Sequence, residues 1–155
     1  MYAWYLRNTY FENNLVKPGK VTVCGEKIDF RKVDLPVYIY GSREDHIVPI
    51  EGAYASVQHL PGRKRFVMGA SGHIAGVINP PAKKKRSFWT NDQLPKTHAE
   101  WVQGATEQPG SWWPDWMSWL KPQAGKQVPA PKRYGKGAAY SAIEPAPGRY
   151  VKAKA

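Results

Sequence analysis

Two side chains that can transfer protons each follow a strand-like apolar run. His73 lies in the small-residue segment 69–76, Gly-Ala-Ser-Gly-His-Ile-Ala-Gly, directly after the run 65–68. Small residues let the backbone turn tightly at the end of a strand and leave an imidazole uncrowded. A histidine on such a loop is a candidate proton-transfer base for an α/β enzyme. The alternative is a structural histidine, buried and hydrogen-bonded to a backbone carbonyl.

An acidic residue repeats this arrangement earlier in the chain. Asp45 lies in segment 41–49, which follows another strand-like run. An acid followed by a histidine is the second half of the nucleophile–acid–histidine order of α/β-hydrolases. At successive strand ends the two side chains can meet across one sheet edge, where the carboxylate would fix the tautomer of the imidazole. Asp45 and His73 are therefore the predicted catalytic pair. Glu44 is expected to be a solvated charge, and His46 either supports the pair from behind or is a structural residue.

The single cysteine is the one thiol of this chain that could act as a nucleophile. The nucleophile of an α/β-hydrolase stands in a Gly-x-nucleophile-x-Gly turn between a strand and a helix. Cys24 has Thr22 and Glu26 at the flanking positions, and no helix pattern follows it. A role as a small buried or half-buried hydrophobic residue is therefore favoured for Cys24.

The charge balance limits the classes of partner. The 155 residues include 23 Lys and Arg against 12 Asp and Glu, a net charge of +11, and much of it lies in the run Lys83–Arg86 and after residue 120. Such a charge favours nucleic acid, an anionic surface or a phosphate-bearing substrate such as a CoA thioester, although the basic run is also typical of a solvated loop. Since neither a nucleic-acid-binding motif nor a reading helix is recognisable, we predict no nucleic-acid partner.

Secreted and membrane classes are disfavoured. One cysteine excludes an internal disulfide and a Cys-rich metal site, and it is typical of a reducing cytoplasm. No apolar run approaches the roughly 20 residues of a membrane span. Residues 1–5 lack the charged region and apolar core of a signal peptide. We predict a cytoplasmic protein with no membrane span, no metal and no cofactor.

Hydrophobic periodicity predicts an α/β fold with few, mostly parallel strands and flanking helices. The predicted strands are 33–40, 64–69 and a final edge strand over 87–90, with a hairpin over 20–30. The predicted helices are 1–16, 50–59, 97–107 and 111–120, the third of them capped by Thr97. From residue 121 the chain is rich in Pro, Gly and Lys, which predicts a basic extended tail, disordered or laid along a surface.

The helix predicted over 111–120 is unusually aromatic. Its apolar side chains recur near i, i+3, i+4 and i+7, at Trp112, Trp113, Trp116, Trp119 and Leu120. One interpretation is that they are buried against the sheet or a neighbouring helix. The other is that they form a surface for a partner.

Five segments together carry a family resemblance. They are WYLRNTYFENNLVKPG at 4–19, YIYGSREDHIVP at 38–49, RFVMGASGHIAGVINPPAKKKRSFWTND at 65–92, GSWWPDWMSWL at 110–120 and IEPAPGRYVKAKA at 143–155. On these segments the chain closely resembles the carboxyl-terminal part of class I polyhydroxyalkanoate synthases, the poly(3-hydroxybutyrate) polymerases of bacteria. GASGHIAGVINPP and SREDHIVP are highly specific in combination.

The resemblance implies the carboxyl-terminal portion of an α/β-hydrolase-type catalytic domain with a Cys-His-Asp triad. Asp45 corresponds to the acid and His73 to the histidine. The nucleophilic cysteine of the family stands in an upstream Gly-x-Cys-x-Gly box, which does not occur in this chain. On the same basis, residues 1–19 are expected to end a cap-like helical segment, 20–120 to belong to the catalytic domain and 121–155 to form the tail.

The resemblance also implies a reaction and partners for the complete enzyme. The reaction is acyl transfer from (R)-3-hydroxyacyl-CoA, such as 3-hydroxybutyryl-CoA, to a growing polyester with release of CoA. Implied partners are the polyester chain, the polymer granule and a second copy in a homodimer. Asp45 would either orient His73 or help to activate the substrate hydroxyl. The alternative function is an inactive remnant that binds the synthase or the granule through Trp112–Trp119.

Overall fold

The computed structural model describes residues 1–132 and 134–154, which divide into two units, Met1–Gln123 and Ala124–Ala155. In the first unit the helices are α1 Tyr2–Leu6, α2 Ile50–His59, α3 His98–Gln103 and α4 Trp113–Leu120. Its strands are β1 Thr22–Val23, β2 Glu26–Lys27, β3 Val37–Ser42, β4 Lys64–Gly69, β5 Ser87–Thr90 and β6 Thr106–Pro109. A π-helical turn covers Arg7–Phe11, and 3₁₀ turns cover Asn14–Val16, Phe30–Lys32, Pro81–Lys83 and Lys121–Gln123.

The main sheet has four strands in the order β3-β4-β5-β6. Strands β3 and β4 are parallel, with Ser42 opposite Gly69, so their carboxyl ends lie side by side. The pairs β4–β5 and β5–β6 are antiparallel. The prediction of an α/β fold is confirmed, with mixed rather than mostly parallel pairing. Helix α2 connects the two parallel strands, so that both of them end at the same edge of the sheet. The parallel pair is therefore the part of the sheet that positions the candidate site.

Two predictions about the far side of the sheet are wrong. Strand β5 is not an edge strand, because β6 pairs with its free side over the whole of Ser87–Thr90. The helix predicted over 97–107 begins with the expected capping box between Thr97 and Glu100 but ends at Gln103. Gly104 ends the helix, and the residues after it gain backbone hydrogen bonds by pairing with β5. A tertiary contact therefore overrides the local helical pattern.

The core is aromatic and lies between the sheet and helices α2 and α3. Phe66 and Trp101 have no exposed surface, and Tyr54 is only 2% exposed. Their rings meet edge to face, with centroids 4.8 Å apart for Phe66 and Trp101 and 4.9 Å for Tyr54 and Phe66. The Tyr54 hydroxyl donates to the carbonyl of Pro95 at 2.7 Å, so this buried polar group is satisfied. This core holds β4, whose carboxyl end leads to His73.

The amino-terminal segment differs from the single helix predicted over 1–16. Helix α1 runs into the π-helical turn, and Asn13 then adopts a left-handed conformation (φ 45°) before the 3₁₀ turn. A left-handed residue cannot continue a right-handed helix, so the segment ends there. No residue of α1 or of the π-helical turn is buried in the described part of the chain. The assignment of residues 1–19 to a cap-like segment stays a prediction.

The second unit, Ala124–Ala155, has little structure of its own. Strands β7 Gly135–Lys136 and β8 Tyr140–Ser141 pair antiparallel, and a 3₁₀ turn covers Tyr150–Lys152. Within the described residues of this unit, none is buried. Across residues 1–132 and 134–154, none of the helices is both long enough and apolar enough to cross a bilayer.

Candidate active site

The carboxyl ends of β3 and β4 bring the two predicted catalytic residues together. The loop after β3 carries Asp45, and the loop after β4 carries His73. Backbone hydrogen bonds continue the pairing beyond the strands, from Arg43 N to Gly69 O at 2.8 Å and from Glu44 N to Ser71 O at 3.0 Å. The two loops therefore run together, and the acid lies beside the histidine although the residues are far apart in sequence.

Small residues allow the loop after β4 to turn this tightly. Ser71 has a φ of 73°, in the left-handed region. At Gly76 an added Cβ would lie 2.5 Å from Ser42 Oγ and 2.6 Å from the Ala70 carbonyl oxygen, so only glycine fits there. The sequence-based interpretation of the small-residue segment agrees with this geometry.

His73 meets a carboxylate rather than a backbone carbonyl. Its Nδ1 lies 2.8 Å from Asp45 Oδ2. The Asp45 side chain is only 9% exposed, whereas the His73 side chain is 41% exposed. When neutral His73 donates from Nδ1 to Asp45, its Nε2 lone pair is free to accept a proton. The structural alternative for His73, a buried ring satisfied by a carbonyl, is therefore not observed.

The carboxylate of Asp45 is held by the backbone as well as by the imidazole. Oδ1 accepts hydrogen bonds from Ile47 N at 2.8 Å and from Val48 N at 2.9 Å. The hydrogen bond from Val48 N, followed by those from His73 and Ile47, outweighs partial burial and lowers the pKa of Asp45 to about 2. Asp45 therefore stays ionised at neutral pH and can stabilise an imidazolium.

A cleft of about 160 Å³ opens beside this pair. Besides Asp45 and His73, it is lined by Tyr40, Ser42 and Val77, among others. The hydroxyl oxygens of Tyr40 and Ser42 lie 3.1 Å apart, and burial raises the pKa of Tyr40, which keeps its hydroxyl protonated. The pair thus faces a space in which a reacting group can lie.

Tyr40, Ser42 and Val77, which line the cleft beside the pair, are not among the predicted site residues. Tyr38, Tyr40 and Ser42 alternate along β3, so they share one face of the sheet. This alternation, directly before the segment that carries Asp45, is the sequence pattern that indicates Tyr40 and Ser42 as neighbours of the site. No such signal marks Val77, because its place in the cleft results from the course of the loop after His73.

Helix α4 packs on the sheet face that leads to the site. The ring centroids of Trp112 and Tyr40 lie 4.4 Å apart, and those of Trp119 and Tyr38 lie 5.5 Å apart. The carboxylate of Asp115 accepts from the Tyr38 hydroxyl and from Arg65 Nε, each at 2.8 Å. Burial, with help from Asp115, raises the pKa of Tyr38, so this phenol remains a donor. Trp112 and Trp119 therefore pack against the sheet, as one interpretation predicted, but both are only half-buried.

The remaining candidate residues lie outside this arrangement. Cys24 is exposed at the turn between β1 and β2, with a φ of 49°, so the prediction of a buried or half-buried residue is wrong. Cys24 is also not among the residues that line the cleft. Glu44 is exposed and paired with Arg43 at 3.2 Å, as expected for a solvated charge. His46 is exposed as well. The basic run Lys83–Arg86 is an exposed loop.

The described residues show no grouping of three or more His, Cys, Asp or Glu side chains that could hold a metal ion.

Comparison with known proteins identifies relatives over almost the whole chain. No protein-family model matches it. The poly(3-hydroxyalkanoate) polymerase subunit PhaC of Cupriavidus necator is 64% identical over 154 residues, which are 99% of this chain and 26% of that protein. The protein of the same name from Rhizobium etli is 41% identical over 150 residues, 97% of this chain and 23% of the relative. The poly(3-hydroxyalkanoate) polymerase of Methylorubrum extorquens is 43% identical over 155 residues, 99% of this chain and 25% of the relative.

The chain spans about a quarter of the length of the curated relatives it matches. The aligned region includes the two loops that carry Asp45 and His73, since it covers 154 of the 155 residues of the chain. The chain therefore corresponds in sequence to a carboxyl-terminal portion of poly(3-hydroxyalkanoate) polymerases.

Proposed function

We propose that this chain supplies the acid and the histidine of an acyltransferase site whose nucleophilic cysteine lies in another part of the complete polymerase. The observation that supports this most directly is the 2.8 Å contact between His73 Nδ1 and Asp45 Oδ2 at the edge of an open cleft. An ionised acid that holds one imidazole nitrogen leaves the other nitrogen to act as a base.

In the complete site, the first step transfers the acyl group from (R)-3-hydroxyacyl-CoA to the cysteine. His73 Nε2 accepts the proton of the cysteine thiol, and the thiolate attacks the thioester carbonyl carbon. The bond between this carbon and the CoA sulfur breaks, and the imidazolium returns the proton to the departing CoA thiolate. Asp45 stabilises the imidazolium between these two proton transfers.

In the second step, the hydroxyl of another 3-hydroxyacyl group attacks the acyl-enzyme. His73 removes the hydroxyl proton, a new ester bond forms, and the cysteine sulfur leaves as a thiolate that regains the proton. The low pKa of Asp45 makes it a poor base for an alcohol. Its other oxygen is also engaged by two backbone N–H groups. Both facts support a role in which Asp45 orients His73 and does not itself deprotonate the hydroxyl.

The proposal is tested by complementation. Release of CoA from (R)-3-hydroxybutyryl-CoA is measured with this chain alone and with the chain co-expressed with the preceding three quarters of the Cupriavidus necator polymerase. We expect release in the complemented sample alone, and none when His73 is replaced by Ala. Release by the chain alone, if abolished by Cys24→Ala, would assign the nucleophile to Cys24. Wild-type release from the His73→Ala complex would disprove the assignment of His73.

A second candidate function is association without catalysis. Trp116 and Met117 of α4 are 37% and 55% exposed and form an apolar patch beside the packed side of the helix. We propose that this patch contacts the polyester granule or the complete polymerase, which the family relationship suggests to be a cytoplasmic homodimer. Granule pull-down with wild-type chain and Trp116→Ala tests this, because unchanged retention of the variant contradicts a role for the tryptophan.

A further inference from the structure

We propose that Trp112 and Trp113 form an indole clamp that positions the His73 loop, residues 70–79, and that Trp113 is its main positioning residue. This inference rests on the function proposed above for His73. Neither tryptophan lines the cleft beside His73, so the effect of the clamp on the reaction passes through the loop.

Both indole N–H groups converge on one carbonyl oxygen of the loop. Trp113 Nε1 donates to the Val77 carbonyl at 2.9 Å, and Trp112 Nε1 donates to the same oxygen at 3.3 Å. Val77 lines the cleft beside His73. Two donors, from the first residue of α4 and the residue just before it, restrain both the position and the direction of that carbonyl.

The restraint reaches His73 through the backbone of the loop. Gly76 N donates to the Gly72 carbonyl and Ile78 N to the Ile74 carbonyl, each at 2.9 Å, so residues 72–78 form connected turns around His73. Displacement of Val77 therefore displaces the turns that carry the imidazole. Since the His73 side chain is 41% exposed, packing around the ring alone restrains it only in part.

Helix α4 ties the clamp to the same strands that carry the catalytic pair. Asp115 accepts from Tyr38 of β3 and from Arg65 of β4. The Trp112 ring also packs on Tyr40 of β3. The helix is therefore held to β3 and β4, and the indoles hold the loop at Val77, after His73. The contact of Asp45 with His73 and the hydrogen bond from Glu44 N to Ser71 O hold the loop at its beginning.

The test uses the complemented polymerase described above, with Trp113→Phe as the main variant. Phenylalanine keeps an aromatic ring but removes the N–H donor. Trp112→Phe serves as a second variant, with a smaller expected effect because its donor is farther from Val77. Trp119→Phe is the matched control, since Trp119 packs on Tyr38 from the same helix but is not a donor to Val77.

Two readouts separate positioning from general stability. Hydrogen exchange is followed at the amides of Gly76, Ile78 and Asn79 and, as a folding check, at those of β3. We expect Trp113→Phe to accelerate exchange in the loop about tenfold while β3 exchange is unchanged. We expect its kcat to fall about tenfold or more with KM within about twofold of wild type, since displacement of a catalytic group affects the chemical step. Trp119→Phe should change neither.

Three results would overturn the clamp. They are wild-type exchange of the loop in Trp113→Phe, equal acceleration in Trp119→Phe, and a loss of activity expressed in KM alone. If the wild-type complex releases no CoA, the proposed function fails, whereas loop exchange in the same complex still decides whether the indoles hold the loop. Failures of the two proposals are thus distinguishable.

Discussion

His73 Nδ1 lies 2.8 Å from Asp45 Oδ2 across the ends of two adjacent parallel strands. The same carboxylate accepts two backbone N–H groups through its other oxygen. Backbone groups of its own loop therefore hold the Asp45 carboxylate in place, and the carboxylate in turn orients the imidazole. This arrangement predicts that the carboxylate acts through His73 in both halves of the proposed reaction.

Asp45→Asn should therefore slow both steps together. In the complemented polymerase we expect CoA release to fall about 10⁴-fold, because an amide cannot hold the donor tautomer of His73 or stabilise its imidazolium. Acylation is measured as the first burst of CoA, and elongation as later turnover. His59→Gln, on α2 and outside the cleft, is the control. A normal burst followed by arrested elongation would show instead that Asp45 activates the substrate hydroxyl.

Acid should weaken the contribution of Asp45 to stability. The native carboxyl has a pKa of about 2, lowered from its ordinary value of 3.8, so the folded chain favours the ionised form. This contribution is fully present above the ordinary value and is lost as the pH falls through the native one. We expect the difference in thermal midpoint between wild type and Asp45→Asn to shrink between pH 5 and about pH 2. A difference that is constant or larger in acid would contradict the lowered pKa.

The pairing of Asp115 with Arg65 and Tyr38 should stabilise the chain measurably. Both charged side chains are mostly buried, with 26% of Arg65 and 19% of Asp115 exposed. Asp115→Ala leaves the Tyr38 phenol without its acceptor and leaves the Arg65 guanidinium only the exposed Asp92, at 3.5 Å. We expect it to cost about 2 kcal/mol in the free energy of unfolding, measured in urea. The exposed pair of Arg7 and Glu12 provides the control.

That control pair has its closest nitrogen and oxygen 3.8 Å apart, with 74% and 49% of the side chains exposed. Arg7→Gln should therefore change the free energy of unfolding by less than about 1 kcal/mol. Equal losses from Asp115→Ala and Arg7→Gln would mean that the anchoring of α4 contributes nothing beyond a surface ion pair.

The aromatic core should dominate stability. Phe66 has no exposed surface and contacts the rings of Tyr54 and Trp101, so Phe66→Ala should cost about 3–5 kcal/mol by loss of burial and creation of a cavity. Phe11→Ala is the matched control, since Phe11 is 86% exposed and should lose less than about 0.5 kcal/mol. Urea unfolding of both variants checks this, and a small loss at Phe66 would contradict the core as described.

The sequence by itself determined the parts of the protein whose signal is local. Small residues beside His73 mark a tight loop, and the apolar runs before Asp45 and His73 mark the strands β3 and β4. The helix predicted over 50–59 is α2, which has the predicted bounds. Because parallel strands place their carboxyl ends at one edge, the predicted meeting of acid and histidine followed from local patterns alone.

Only the tertiary structure decided those features that require contact between residues distant in sequence. Strand β6 exists because β5 offers a free edge, although the local pattern predicts helix up to residue 107. Asp115 looks like an ordinary first-turn acid of α4, and only the fold brings Arg65 and Tyr38 to it. The convergence of Trp112 and Trp113 on Val77 likewise depends on where α4 packs. Contacts of this kind carry no local pattern, since each requires two separate segments to be placed first.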